Sequence, residues 1–372
     1  MLSMNDKIQQ RTWAEIDLDA VRRNYKEIRA CVRPESKICC IVKANAYGHG
    51  AVRLAEEYEK LGADWFAVSS IEEALPLRSA GITKPILILG YTPVEAADLL
   101  ISQNISQCIY SLEYAKALSQ KAAGPIKIHI KLDTGMRRIG FRDAKEAKEA
   151  CSLPNLVPEG VFTHFASADE GENGREFTRL QYERFMEAVR ETGVDFEIKH
   201  VCNSAGILDY PEYHLDMVRA GIILYGLKPS EDVEHKIKLV PAMTLRSVVS
   251  QVKTIQKGDV VSYGRTFTAP ADMKVATIPA GYADGYWRSN SDNGTRVIVN
   301  GVPCRILGRV CMDQLMVDAG EVKELSFGEG SDVELFGKRM TADTLAANNG
   351  TINYEVLCGV GARVPRIYVG ED

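Results

Sequence analysis

The sequence lacks most of the signals that assign a protein quickly. Its nine cysteines are odd in number, scattered, and never spaced C-x-x-C, which excludes a disulfide framework and a zinc ribbon. Its six histidines form no H-E-x-x-H pair, and no G-x-x-x-x-G-K-[ST] phosphate loop occurs. Gly48-His49-Gly50 is the nearest approach to a dinucleotide fingerprint and lacks the third glycine. No apolar run has membrane-spanning length; CCIV and PILIL are strand-sized, and the opening MLSMNDKIQQRTWAEI has no signal-peptide core. Neither sign of charge dominates, with 45 Lys and Arg against 50 Asp and Glu and a net charge of −5. That balance speaks against a nucleic-acid or anionic-membrane partner. The expectation is a metal-free cytoplasmic enzyme without membrane attachment.

What is present is enough apolar side chain for a sizeable core, 45% of 372 residues, in a length that suits two domains. From about residue 37 to 226, short β-branched runs alternate with amphipathic stretches. The strand candidates are 37–43, 64–70, 85–90, 106–111, 126–132, 159–165, 196–201 and 217–221. Eight strands alternating with helices predict an α/β fold of the (β/α)8, TIM-type barrel kind. After Lys228 the texture changes to Val, Ile and Thr alternating with polar residues. Asn300-Gly301 between VIV and VPCRI is a type I′ hairpin signal. The expected domains are a barrel over 11–230 and a mainly β domain over 235–372, with RTWAEID at 11–17 joining the β domain as a strand.

Barrel enzymes work at the C-terminal ends of their strands. There the sequence places Lys43, Lys131, Arg138, His164, Asn203, Ser204 and Arg219, a cationic set suited to an anionic ligand. Lys43 closes the apolar run CCIV, where burial favours the neutral amine of Schiff-base chemistry. Ser204 reads equally as a helix N-cap, His164 as a core histidine, and Arg219 as an ion pair with Asp216. The β domain adds Tyr263 in VSYGRTF, Tyr282 in IPAGYADGY, Cys311-Met312-Asp313 at the end of an apolar strand, and Tyr354 in INYEVLCGVGARVPRIY. Tyrosine in glycine-flanked loops is poorly explained by core packing.

Nine segments in order, IVKANAYGHG, KLDTGMRRIG, FTHFASADE, HVCNSAG, MVRAGIILYG, VSYGRTF, IPAGYADGY, GRVCMDQ and INYEVLCGVGARVPRIY, resemble the bacterial alanine racemases. The resemblance implies pyridoxal 5'-phosphate as cofactor, held by Lys43 as a Schiff base, with Lys43 and Tyr263 as two bases on opposite faces. It places Arg219 at the pyridine nitrogen, where a cation weakens the electron sink, and His164 beside it. Ser204, the backbone of Gly221 and Ile222, and Tyr354 would hold the phosphate, with Tyr47 and Asn203 nearby. Arg138 and the main chain of Met312 would bind the substrate carboxylate. Asp313 and Tyr282 would orient Tyr263 and line the entry, with Arg288 and Asp169 further out. Lys131 would carry a carbamate that steadies Arg138.

The family also implies a head-to-tail homodimer in which Tyr263, Tyr282, Met312 and Asp313 complete the other subunit's site. The implied activity is interconversion of L- and D-alanine, feeding D-alanine to peptidoglycan. The rival readings are a serine or broad-specificity racemase of the same fold, a decarboxylase on the same two-domain plan, and a non-catalytic cofactor carrier.

Overall fold

The computed structural model describes residues 11–322 and 327–370. Two compact units emerge: Ala20–Val240, and the described residues up to Asp19 together with those from Pro241 onward. The strand β1 spans Thr12–Asp17, and the eight that follow are β2 (Lys37–Ile41), β3 (Trp65–Val68), β4 (Ile86–Ile88), β5 (Ile105–Ile109), β6 (Ile126–Lys131), β7 (Leu156–Phe162), β8 (Ile198–His200) and β9 (Met217–Ala220).

Strands β2 to β9 form one parallel sheet in the order β8-β7-β6-β5-β4-β3-β2-β9. The seam between β8 and β9 is bridged by backbone bonds from Asp216 N to Lys199 O (3.2 Å) and Arg219 N to Cys202 O (3.0 Å), which all but close the barrel. All eight strands expected from the sequence are present, because each is a short β-branched run with helices to cover its outer face. The longest of the intervening helices, Glu172–Thr192, ends on Gly193 at φ 64°, the left-handed cap a Cβ would resist.

The other unit contains β10 (Met243–Val248), β11 (Gln251–Ile255), β12 (Val260–Val261), β13 (Phe267–Thr268), β14 (Met273–Ile278), β15 (Arg296–Val299), β16 (Val302–Arg305), β17 (Leu315–Asp318), β18 (Asp332–Phe336) and β19 (Arg366–Val369). Its largest sheet runs β16-β15-β18-β10-β1-β19. The N-terminal strand β1 therefore lies inside it, antiparallel to β10 and parallel to β19. Asn300 and Gly301 turn β15 into β16 with φ of 43° and 83°, the two positive values a type I′ hairpin requires.

One placement differs from the sequence expectation. Cys311-Met312-Asp313 does not end a strand; it sits in the irregular segment that enters β17. The apolar run GRV there is interrupted at Gly308, whose φ of 67° turns the chain out of extended geometry.

Candidate active site

Arg219 is the fixed point of the barrel mouth. Its side chain is buried, and it donates from Nη2 to the carbonyls of Thr163 (2.8 Å) and Val201 (2.9 Å), and from Nη1 to that of His200 (3.0 Å). Two imidazoles accept as well: His200 Nδ1 at 2.9 Å and His164 Nδ1 at 3.3 Å. The expected alternative, an ion pair with Asp216, is not what the fold builds; Asp216 accepts from the Lys199 backbone at 2.8 Å. Burial lowers the Arg219 guanidinium to about 10, which still leaves it a cation near neutrality. A buried cation is tolerated only when its donors are met, and here strand ends supply the acceptors.

Lys131, at the end of β6, is also buried, and its Nζ lies 5.3 Å from the centre of the Phe162 ring, which Arg219 approaches from 5.4 Å. Burial pushes its ammonium down to about 8, and the charges of Arg138, Arg219 and Lys43 act in the same direction. His164 lies two residues past the end of β7. Burial, then the cations Arg219, Lys131, Arg138 and Lys43, push its imidazole well below the usual range and keep it neutral. Four of the expected cations thus share one electrostatic neighbourhood with His164. Arg138 reaches it from an exposed loop, while Arg137 turns away to Asp133 at 3.6 Å.

Lys43 follows β2 by two residues and opens a left-handed turn. Ala44, Asn45, Ala46 and Tyr47 all have φ between 51° and 54°, a conformation that costs about 1–2 kcal/mol per residue for L-amino acids. The turn is clamped by Glu73 accepting from Ala44 N at 2.6 Å, by Asn45 Oδ1 accepting from Ala51 N at 2.9 Å, and by Gly48 N donating to Ala44 O at 2.9 Å. Its effect is to hold Lys43 half-buried while turning the Tyr47 ring inward onto Tyr225, 4.9 Å away.

Tyr47 ends beside Gly221. A Cβ on Gly221 would stand 3.1 Å from the Tyr47 hydroxyl and 3.3 Å from Ser204 Oγ, so glycine leaves two hydroxyls converging on the backbone at 221–222. Ser204 Oγ accepts from Gly221 N at 3.0 Å. Ser204 is not the helix cap: Asn203 takes that role, accepting from Gly206 N at 2.9 Å, which leaves the serine hydroxyl for the cradle.

In the other unit, three loops are drawn together. Ser262 Oγ donates to Arg309 O at 2.6 Å, and Tyr282 N and Ala283 N donate to Cys311 O (3.1 Å) and Met312 O (3.0 Å). Gly281 permits that approach, since a Cβ would lie 2.2 Å from Cys311 O. Beneath the loops, fully buried Asp284 accepts from Arg11 (2.5 Å), Arg363 (2.8 Å) and Gly281 N (2.9 Å). Asp313 accepts from Arg363 at 2.7 Å. Tyr263, Tyr282 and Met312 are 70%, 42% and 53% exposed. Tyr354 is half-buried in the helix Asn353–Cys358.

Sequence reasoning missed His129, His200, Glu159, Asp284 and Arg363. The period-2 rule could have found His129, which shares a strand face with Lys131 in IKIHIKL.

A lysine just past the first barrel strand, a cation in the eighth and a β unit in the same chain mark the class of two-domain enzymes with a lysine-bearing barrel. Residues 16–229 match the family model described as "Alanine racemase, N-terminal domain", and residues 242–368 the corresponding C-terminal domain. The chain belongs to the alanine racemase family. It is 48% identical to an alanine racemase of Desulfovibrio desulfuricans, covering 96% of this chain and 98% of the relative. An alanine racemase of Clostridium perfringens is 46% identical over 96% of this chain and 95% of its own. The solved structure of alanine racemase from Clostridium difficile superposes with a TM-score of 0.92 at 42% identity, covering 97% of this chain and 96% of that one. The alanine racemase of Bacillus anthracis with bound L-Ala-P gives 0.91 at 37% identity, covering 97% and 95%.

Removing the Asp284 carboxylate leaves two arginines and a backbone N–H without their shared acceptor. Asp284→Ala is expected to lower the unfolding free energy by about 1–3 kcal/mol, read as a drop in the urea midpoint by circular dichroism. A midpoint equal to that of the native chain would show that the loops are held by other contacts.

Proposed function

We propose that this chain interconverts L- and D-alanine with pyridoxal 5'-phosphate held at the barrel mouth, and so supplies D-alanine for peptidoglycan in the cytoplasm. Among the described residues no helix is long and apolar enough to cross a membrane. The observation that carries the reading is the convergence at Gly221 of two hydroxyls, Ser204 Oγ and Tyr47 Oη, on backbone without a side chain, donors of the kind a phosphate needs. The donor set fits the rest of the cofactor: a lysine amine for its aldehyde and a buried cation for its ring nitrogen. Once the amine of an amino acid takes the place of Lys43, the cofactor would make the Cα proton labile by delocalising the charge left behind, and Lys43 would be free to act as a base.

In this reading Ser204, Tyr47, Asn203, Tyr354 and the backbone of Gly221 and Ile222 hold the phosphate. Arg219, a donor only, cannot give the ring nitrogen a full proton and keeps the charge short-lived; His164 packs beside it. Arg138 and the main chain of Met312 take the substrate carboxylate. Lys43 Nζ and the Tyr263 hydroxyl face opposite sides of Cα, so one removes a proton while the other returns one, and inversion follows with no net change in composition. A racemase needs such a pair because a single base on one face restores the starting enantiomer.

Tyr263, Tyr282 and Met312 are exposed on one chain, which supports a head-to-tail homodimer in which a second copy presents them to the barrel mouth. Asp313 and Tyr282 then line the entry.

Lys131 supports a further part of the reading. At pH 7 an amine lowered to about 8 is neutral in about one molecule in ten, against roughly one in three thousand at its ordinary value near 10.5. The neutral amine adds to carbon dioxide and loses a proton, giving a carbamate anion beside Arg138 in place of a like charge.

With the cofactor supplied, the protein is expected to bring L-alanine to a 1:1 mixture of enantiomers, with serine, lysine and arginine turning over more slowly. Borohydride should leave the reduced cofactor on the peptide carrying Lys43. Equal or faster turnover of serine would move the chain to a broad-specificity racemase, and no conversion of alanine would overturn the reading. Tyr263→Phe should slow Cα proton exchange of L-alanine by about 100-fold or more, and that of D-alanine far less; equal loss for both enantiomers would remove the two-base assignment. In 13C NMR after incubation with labelled bicarbonate, a carbamate signal should appear and be lost in Lys131→Ala. Because deprotonation exposes the reactive amine, the signal should grow as pH rises toward about 8. A spectrum without that signal would leave Lys131 an unmodified amine.

A further inference from the structure

The barrel interior holds a row of polar side chains that the chemistry above does not use. From Arg219 it passes to His200, whose Nδ1 lies 2.9 Å from Arg219 Nη1, and on to His129, whose Nδ1 lies 2.9 Å from His200 Nε2. His129 Nε2 then faces Glu159 Oε2 across 3.4 Å, near enough for charge attraction but outside hydrogen-bond alignment, and no other group accepts from it. The carboxylate is anchored at the far end by Ser106 Oγ at 2.8 Å and Lys127 Nζ at 3.0 Å.

The direction of every bond in the row follows from one fact, that arginine has donors and no acceptor. His200 Nδ1 must accept, so the His200 proton sits on Nε2. That N–H meets His129 Nδ1, which must also accept, so the His129 proton sits on its own Nε2 and faces Glu159. Both rings are neutral: burial lowers the His129 imidazole and takes His200 well below its ordinary range. Burial opposes ionisation of Glu159, but His129, Lys127 and Ser106 outweigh it and bring the carboxyl to about 2.

The row is built into the strands. Glycine inside a strand costs roughly 0.5–1 kcal/mol relative to alanine; at Gly160 any Cβ would lie 2.5 Å from His129 Cε1 and Nδ1. The β6–β7 ladder shifts register between Ile128 and His129, next to that ring. Phe162 stacks on His200 at 4.8 Å and 13°, and Trp65 meets His129 edge-on at 5.3 Å.

We propose that Glu159 is a positioning residue for Arg219, acting through His129 and His200: its carboxylate attracts the last N–H of the row, so the Nε2–H tautomers that Arg219 dictates are the favoured ones and Arg219 keeps one orientation. The functional part rests on the reading of Arg219 as the partner of the cofactor ring nitrogen. The structural part does not.

The test is 15N NMR of the full-length, histidine-labelled protein, together with steady-state kinetics. In the native chain His129 and His200 should both show a protonated Nε2 and a bare Nδ1. Glu159→Leu leaves the buried His129 N–H facing no acceptor, so a second His129 tautomer should appear at the expense of its bond to His200, and kcat for L-alanine should fall on the order of ten-fold, with KM within about two-fold. Glu159→Gln, which keeps an oxygen acceptor, should restore the tautomer and much of kcat. A native His129 or His200 protonated at Nδ1 overturns the proposal without any variant, as does a folded Glu159→Leu protein with native kcat. A chain with the expected tautomers but no alanine turnover would overturn the racemase reading and leave the row standing.

Discussion

The burial of one guanidinium organises the barrel. An arginine taken out of water must have its N–H groups met, and Arg219 is met by the carbonyls of Thr163, His200 and Val201 and by two imidazoles. These acceptors lie where β7 and β8 end, beside the strand that carries the arginine. The position of the cation and the closing geometry of the barrel are therefore one arrangement. The same charge helps keep His164 neutral and bears on Lys131.

The two units solve different problems. The barrel mouth is stiff: Lys43 stands on a clamped left-handed turn, and the Gly221 cradle is packed between Tyr47 and Ser204. In the β unit the chemistry-bearing side chains lie on loops, and stiffness comes from below, where buried Asp284 gathers Arg11, Arg363 and Gly281. Loops above a rigid base suit residues that must be exposed on one chain yet held in a defined place.

Much of this was legible in the sequence. Eight β-branched runs at regular intervals gave away the barrel, and Asn300-Gly301 the hairpin, because both are local signals of backbone geometry. The cations at strand ends were legible through the barrel rule, and the family motifs ordered them. What escaped was set by long-range packing. Asn203 rather than Ser204 caps its helix, and the serine hydroxyl is left to meet Gly221, seventeen positions away in sequence. His129, Glu159 and Gly160 read as ordinary strand residues until β6, β7 and β8 are laid side by side. Asp284 and Arg363 are a loop acid and a loop base, and nothing local announces that they meet.

The place of β1 has a consequence for synthesis. The earliest made of the described strands, β1, lies between β10, which begins at Met243, and β19, which begins at Arg366. At about 5–20 residues per second, its second edge waits tens of seconds for a partner. Meanwhile Ala20–Val240, all the sequence of the barrel unit, has already emerged. Among the described strands β19 is thus the one that completes the sheet, and loss of Arg366–Val369 strips a pairing edge from β1.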